Sequence, residues 1–151
     1  MTARHEVSVQ DCEFRRAFEA CEIAPASFDH AAHVRLGYIY LCEHSIDAAV
    51  ERMKASLLAF LAHLGVDPGK YHETITRAWI MAVDHFMRQA AGGYDSAAAF
   101  MQATPTLLDT RIMLTHYSAQ VLFSPEARRS FVQPDIQSIP PPLKTPGGAA
   151  T

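Results

Sequence analysis

The sequence predicts an all-α protein: an up-down helical bundle of four longer helices, followed by short C-terminal helices and an extended Pro-rich tail. Apolar residues recur with a period near 3.6 over four long segments, and capping residues fall between those segments. No segment alternates in the manner of a half-buried strand.

The first helix is expected over Asp11 to Cys21, where Phe14, Ala17, Phe18 and Cys21 share a face. After Pro25, Ser27 is a candidate N-cap with Asp29 in the first turn, where a negative charge suits the helix dipole. That second helix runs to about His44 and is apolar nearly all round from Leu36 to Cys42, so it should be central. Ser45 caps the third, whose stripe of Ile46, Val50, Met53, Leu57, Phe60 and Leu64 ends at Gly65. The loop VDPGKY leads into the fourth, from about His72 to Ala91, with Ile75, Trp79, Val83 and Phe86 for the core and Gly92 and Gly93 as its stop. Shorter helices follow at Ser96 to Ala103, at Leu107 to about Tyr117, and after Ser124 and Pro125. Past Gln133 five prolines interrupt the chain, so residues 1–143 read as one helical domain and 144–151 as a flexible tail.

Composition narrows the function. The chain is 49% hydrophobic and 19% charged with a net charge of −3, which suits a globular protein, and no Lys/Arg run is present to hold a phosphate backbone. No nucleic-acid partner is therefore expected. Cys12, Cys21 and Cys42 are odd in number and lack C-x-x-C spacing, which reads as reduced thiols. MTARHEVSVQ lacks the apolar stretch of a signal peptide, and the apolar run LGYIYLC is flanked by Arg35 and Glu43, so a cytoplasmic protein with no membrane partner is expected.

The histidines are the most informative feature. His30 and His33 lie three apart near the start of the second helix, so their side chains share a face. His72 opens the fourth, which in an up-down bundle runs parallel to the second, with both N-termini at one end. The three imidazoles are thus expected to meet around one transition-metal ion, Zn, Fe, Cu or Ni, since Ca²⁺ and Mg²⁺ prefer oxygen ligands. Two helix dipoles would favour neutral imidazole, and with Arg35 and Lys70 they would attract an anionic small molecule, which Tyr71 would help to bind. Glu73 follows as a general base or an orienter of the ligands. HETIT is half of an H-E-x-x-H protease motif, but position 76 is Thr, and the paired Glu-x-x-His pattern of di-iron bundles is missing.

The competing reading gives His30 and His33 capping or core hydrogen-bonding roles. His5, His44, His63 and His85 lack a partner at ligand spacing and are expected to be exposed or locally bonded, while His116 is unassigned. Arg128 and Asp135 are expected to pair and tie down the start of the tail.

The segments FDHAAHVRLGYIYL, KYHETIT and LFSPEARRSFVQPDIQSIP, spanning Phe28 to Pro140, resemble a family of small bacterial proteins with F-x-H-x-x-H-x-R, KYHETIT, S-x-E-A-R and PD motifs in that order. The resemblance implies that His30, His33, Arg35, Tyr71, His72, Glu73, Arg128 and Asp135 belong to one shared pattern, and it carries no activity with it. The expectation is a metal-dependent oxygenase, lyase or hydrolase acting on a small molecule. The alternative is a non-enzymatic metal- or small-ligand-binding helical protein, and a third class is a helical interaction protein.

Overall fold

The computed structural model describes residues 5–90 and 92–139, and among them the regular structure is entirely helical. The longer helices are α1 (Val9–Glu19), α2 (His30–Glu43), α3 (Ile46–His63) and α4 (Glu73–Gln89), followed by the short α5 (Ala97–Ala103), α6 (Ala119–Leu122) and α7 (Pro125–Arg129). The ion pairs Arg77–Asp47 and Lys54–Glu73 run α3 antiparallel to α4, as an up-down bundle requires.

Helix starts are set by side chains that accept from the otherwise orphaned N–H groups of the first turn. Ser8 and Asp11 form a reciprocal capping box on α1, and Ser45 caps α3 through the Ala48 N–H. At α2 the cap is Asp29, which accepts from Ala32, and not Ser27. Pro25 draws Ser27 into a separate 3-10 turn, Pro25–Ser27, so the α-helix begins only after it. The helix expected from Leu107 to Tyr117 is instead two 3-10 segments, Pro105–Leu108 and Thr110–Thr115. Asp109 separates them: its side chain accepts from the Arg111 N–H, a local bond that competes with a continuous helical ladder.

Helices α1 and α3 end alike. At α3, Gly65 adopts φ +70° while Val66 and Gly65 donate to the carbonyls of Leu61 and Ala62. At α1 the same bonds run from Glu22 and Cys21 to Ala17 and Phe18, but the left-handed position is held by Cys21 at φ 61°. A Cβ there costs about 1 kcal/mol. Cys21→Gly is accordingly expected to stabilise the fold by roughly that amount, less the entropy glycine adds to the unfolded chain. A rise in the urea midpoint at constant m-value would show it; a fall would mean that Cys21 packing outweighs the strain.

Helix α2 is central. Leu36 and Tyr40 face a cluster with Phe18, Val50, Met53 and Phe60, while Val34, Tyr38 and Ile39 face a second with Trp79, Val83, Phe100 and Tyr117. The buried Asp11 carboxylate joins three elements, accepting from the Ser8 and Ala97 N–H groups and from the Arg35 guanidinium. The chain after α7 then folds back over the start of α4. Thr74 donates to the Ser130 carbonyl and accepts from the Val132 N–H, Tyr117 donates to the Val132 carbonyl, and Ile139 is buried. The expected domain end at 143 and flexible segment 144–151 lie outside the described residues. No helix of the described residues is long and apolar enough to cross a membrane, and the three cysteines are free.

Candidate functional site

The first half of α2 packs against the first half of α4, and with α3 alongside they line a cleft. Its walls are His30, His33, Val34 and Gly37 from α2, Met53 from α3, and Thr76, Trp79, Ile80 and Val83 from α4. It measures about 230 Å³ including its mouth, and its interior admits about one water molecule. Gly37 forms part of the floor. A Cβ on it would stand 3.4 Å from Ile80 Cδ1, 3.8 Å from Val83 Cγ2 and 4.0 Å from Met53 Cε, so the glycine leaves a methyl-sized space among apolar groups.

His30 is held by two contacts. Its Nε2–H donates to the Leu107 carbonyl at 2.9 Å, and its ring meets the Trp79 indole at 4.4 Å and 64°. The hydrogen bond assigns the proton to Nε2 in neutral imidazole and leaves the Nδ1 lone pair uncommitted. His33 packs against Phe28, with ring centroids 5.5 Å apart. Part of its surface still meets solvent, yet protein atoms crowd the ring enough that burial, reinforced by the nearby His30, pushes its pKa down to about 4. His33 is therefore neutral at pH 7, with a lone pair available on one ring nitrogen.

His72 is placed differently from the expectation. It is the N-cap of α4: Nδ1 accepts from the Ile75 N–H at 3.1 Å, and Nε2–H donates to the Leu122 carbonyl at 2.8 Å. Its carbonyl accepts from the Thr76 hydroxyl, and only 8% of the residue is exposed. Burial lowers its pKa, and the Arg128 charge acts in the same direction, against the opposing pull of the Leu122 carbonyl. Both nitrogens are thus committed to holding the helix start, and a metal could be ligated only by breaking one of these bonds. Among the described residues no group of three His, Cys, Asp or Glu side chains is arranged to hold a metal ion.

The remaining expected site residues divide between the cleft end of α4 and the scaffold. Glu73 and Tyr71 lie beside one another next to Thr76, with Lys54 of α3 at 3.4 Å from Glu73 Oε1 and 5.7 Å from the centre of the Tyr71 ring. Arg35 is engaged elsewhere. Its Nε donates to Asp11 at 3.1 Å and its guanidinium lies 4.4 Å over the Phe14 ring, so its charge serves the fold. Lys70 sits exposed in the 3-10 turn Pro68–Lys70, and its carbonyl accepts from Arg128. Arg128 is therefore not the partner of Asp135, which accepts from the Ser118 N–H instead. His116 holds the docked segment through its Nδ1 bond to the Gln137 carbonyl and through its own carbonyl, which accepts from Ile136 and Gln137.

Sequence reasoning missed Gly37, Met53 and Thr76, which line the cleft, and Lys54, which lies beside Glu73 and Tyr71. One signal was available: a glycine inside the apolar run of a central helix is conformationally costly and marks a close approach or an open space. The chain matches no family model, and neither a curated protein nor a solved structure is significantly similar to it.

Proposed function

We propose that this chain binds a small molecule in the cleft between α2, α3 and α4, with the apolar body of the ligand against Trp79 and the His30 and His33 imidazoles as its hydrogen-bonding groups. The observation that carries the proposal is the pair His30 and His33 at the wall of one cleft: His30 commits one ring nitrogen to the Leu107 carbonyl, leaving Nδ1 to face a ligand, and burial keeps His33 neutral with a lone pair available. A few convergent polar groups in a mainly apolar concavity are the usual makeup of a small-ligand site. The ligand has to widen the cleft, and Met53, unbranched with three rotatable bonds, is the wall residue best able to move.

Trp79 is the only tryptophan in the chain, so its emission reports on the cleft directly. Toluene, a probe of the apolar body alone, is expected to change that emission saturably in the wild type. Gly37→Ala fills the floor at ordinary contact distances, so it should weaken the toluene response while raising stability by about 0.5–1 kcal/mol through its helix propensity. An unsaturable wild-type response, or one that Gly37→Ala leaves intact, would dismiss the cleft as the site.

A metal-dependent enzyme is the second reading, and one observation favours it. Metal-bound histidines commonly donate their other N–H to a backbone carbonyl, as His30 does to Leu107. Zn, Fe, Cu or Ni would be bound by His30 and His33 with ligands from solvent or substrate, and Glu73 would handle protons from one end of the cleft. About one equivalent of metal in protein purified without an affinity tag, lost in His33→Ala, would put this reading first.

A further inference from the structure

Helix α4 carries Glu73, Thr76, Ile80 and Val83 on one ridge, and the last three already line the cleft. Glu73 prolongs that ridge by one turn, and there the surroundings change from apolar to polar. Tyr71 Oη and Glu73 Oε1 are both buried, and neither makes a well-formed hydrogen bond among the described residues, although Tyr71 lies within reach of both Thr76 and Glu73. Lys54 Nζ is 3.4 Å from Oε1, near enough for charge attraction yet misaligned for a hydrogen bond. A buried donor and acceptor held side by side without a well-formed bond are costly, and such a cost is commonly retained where a bound group inserted between them completes both bonds.

The geometry points to a subsite at Tyr71 and Glu73 for a neutral hydroxyl group of the ligand whose body occupies the cleft. Chemistry selects the group. Glu73 Oε1 only accepts, whereas the Tyr71 hydroxyl can donate, so the incoming atom must donate to one and accept from the other. A hydroxyl does both. A carboxylate cannot donate and meets the Glu73 charge, while an ammonium cannot accept and meets the Lys54 charge. The inference rests on the cleft reading above and adds the ligand class, an alcohol or phenol with an apolar body.

The test compares toluene, benzyl alcohol, benzoate and benzylamine by Trp79 emission in the full chain. Benzyl alcohol is expected to bind about tenfold tighter than toluene or more, as a hydrogen bond to a charged group warrants, and to exceed both charged analogues. Tyr71→Phe should bring the alcohol close to toluene, and Glu73→Gln, whose amide oxygen still accepts but without the charge, should weaken the alcohol part of the way, neither changing toluene itself. Tyr71→Phe also removes a buried hydroxyl that lacks a well-formed hydrogen bond, so its ligand-free thermal midpoint should not fall, which separates lost recognition from lost folding and lets this variant decide alone if Glu73→Gln is unstable. Equal binding of alcohol and toluene would overturn the subsite and leave the cleft standing. A preference that survives both substitutions but disappears in His33→Gln would put the hydroxyl at the imidazole and overturn it as well. No emission change with any probe would overturn the cleft and the subsite together.

Discussion

His72→Ala is expected to lower the stability of the fold by about 3 to 4 kcal/mol, through three losses that fall on one residue. Removing an N-cap acceptor costs about 1 kcal/mol, here the bond from the Ile75 N–H. Leaving the buried Leu122 carbonyl without its donor costs about 1–3 kcal/mol more. The vacated imidazole volume adds a cavity term, since the residue is 8% exposed. For a chain of this size the thermal midpoint should fall by about 10 °C. His72→Asn should recover about 1 kcal/mol, because Asn is a strong N-cap but is too short to replace the Nε2 bond. A His72→Ala variant as stable as the wild type would remove His72 from the scaffold and return it to the pool of candidate ligands.

This prediction reverses the sequence-based role of His72, and the reason is physical. Position 72 is legible as the start of a helix, and histidine is legible as a ligand type. What decides between cap and ligand is the group opposite Nε2, and that is the carbonyl of Leu122, 50 residues downstream. The same holds for His30, whose partner Leu107 is 77 residues away. Local signals read well: Ser45 caps where expected, the short helices expected from Ser96 and after Ser124 begin there with those serines as their caps, and Gly65 ends α3. They fail where two candidates compete, as with Ser27 and Asp29, or where a side chain of the right type interrupts a segment from within, as Asp109 does.

The KYHETIT run illustrates how far a motif carries. His72 caps α4, Thr74 holds the chain at Ser130 and Val132, and Thr76 bonds back to the His72 carbonyl. Half of the run therefore clamps the C-terminal segment to the start of the helix. Only Tyr71 and Glu73, whose buried polar atoms make no well-formed hydrogen bond, and the cleft-facing side of Thr76 remain for a ligand. Periodicity reveals which residues share a face of α4, whereas the partner elements that consume or spare their polar atoms come from tertiary contacts.

Between pH 6.5 and 4 the protein is expected to lose up to about 3 kcal/mol of stability through His33 alone. In the folded state its pKa is pushed down to about 4, so the unfolded chain, titrating near 6.5, takes up the proton first. This contribution is fully present above the unfolded value and is lost as the pH falls through the window, with nothing further below it. A difference of two to three pH units at about 1.4 kcal/mol each sets the ceiling, and the remaining solvent contact of the ring lowers it. His72, also lowered, acts with the same sign. The depressed carboxylates Asp11, Glu13, Asp109 and Asp135 titrate from ordinary values of 3.8 to 4.5, so their losses begin largely where this window closes. Urea unfolding at pH 7, 6 and 5 should therefore show a steep fall in the wild type and a shallower one in His33→Gln, whatever the variant does to stability at pH 7. Parallel slopes would mean that His33 protonates freely in the folded protein. The lone pair on which the cleft reading depends would then be absent from much of the population at mildly acidic pH, and binding of a hydrogen-bond donor by His33 would weaken as the pH falls below 6.5 instead of persisting toward 4.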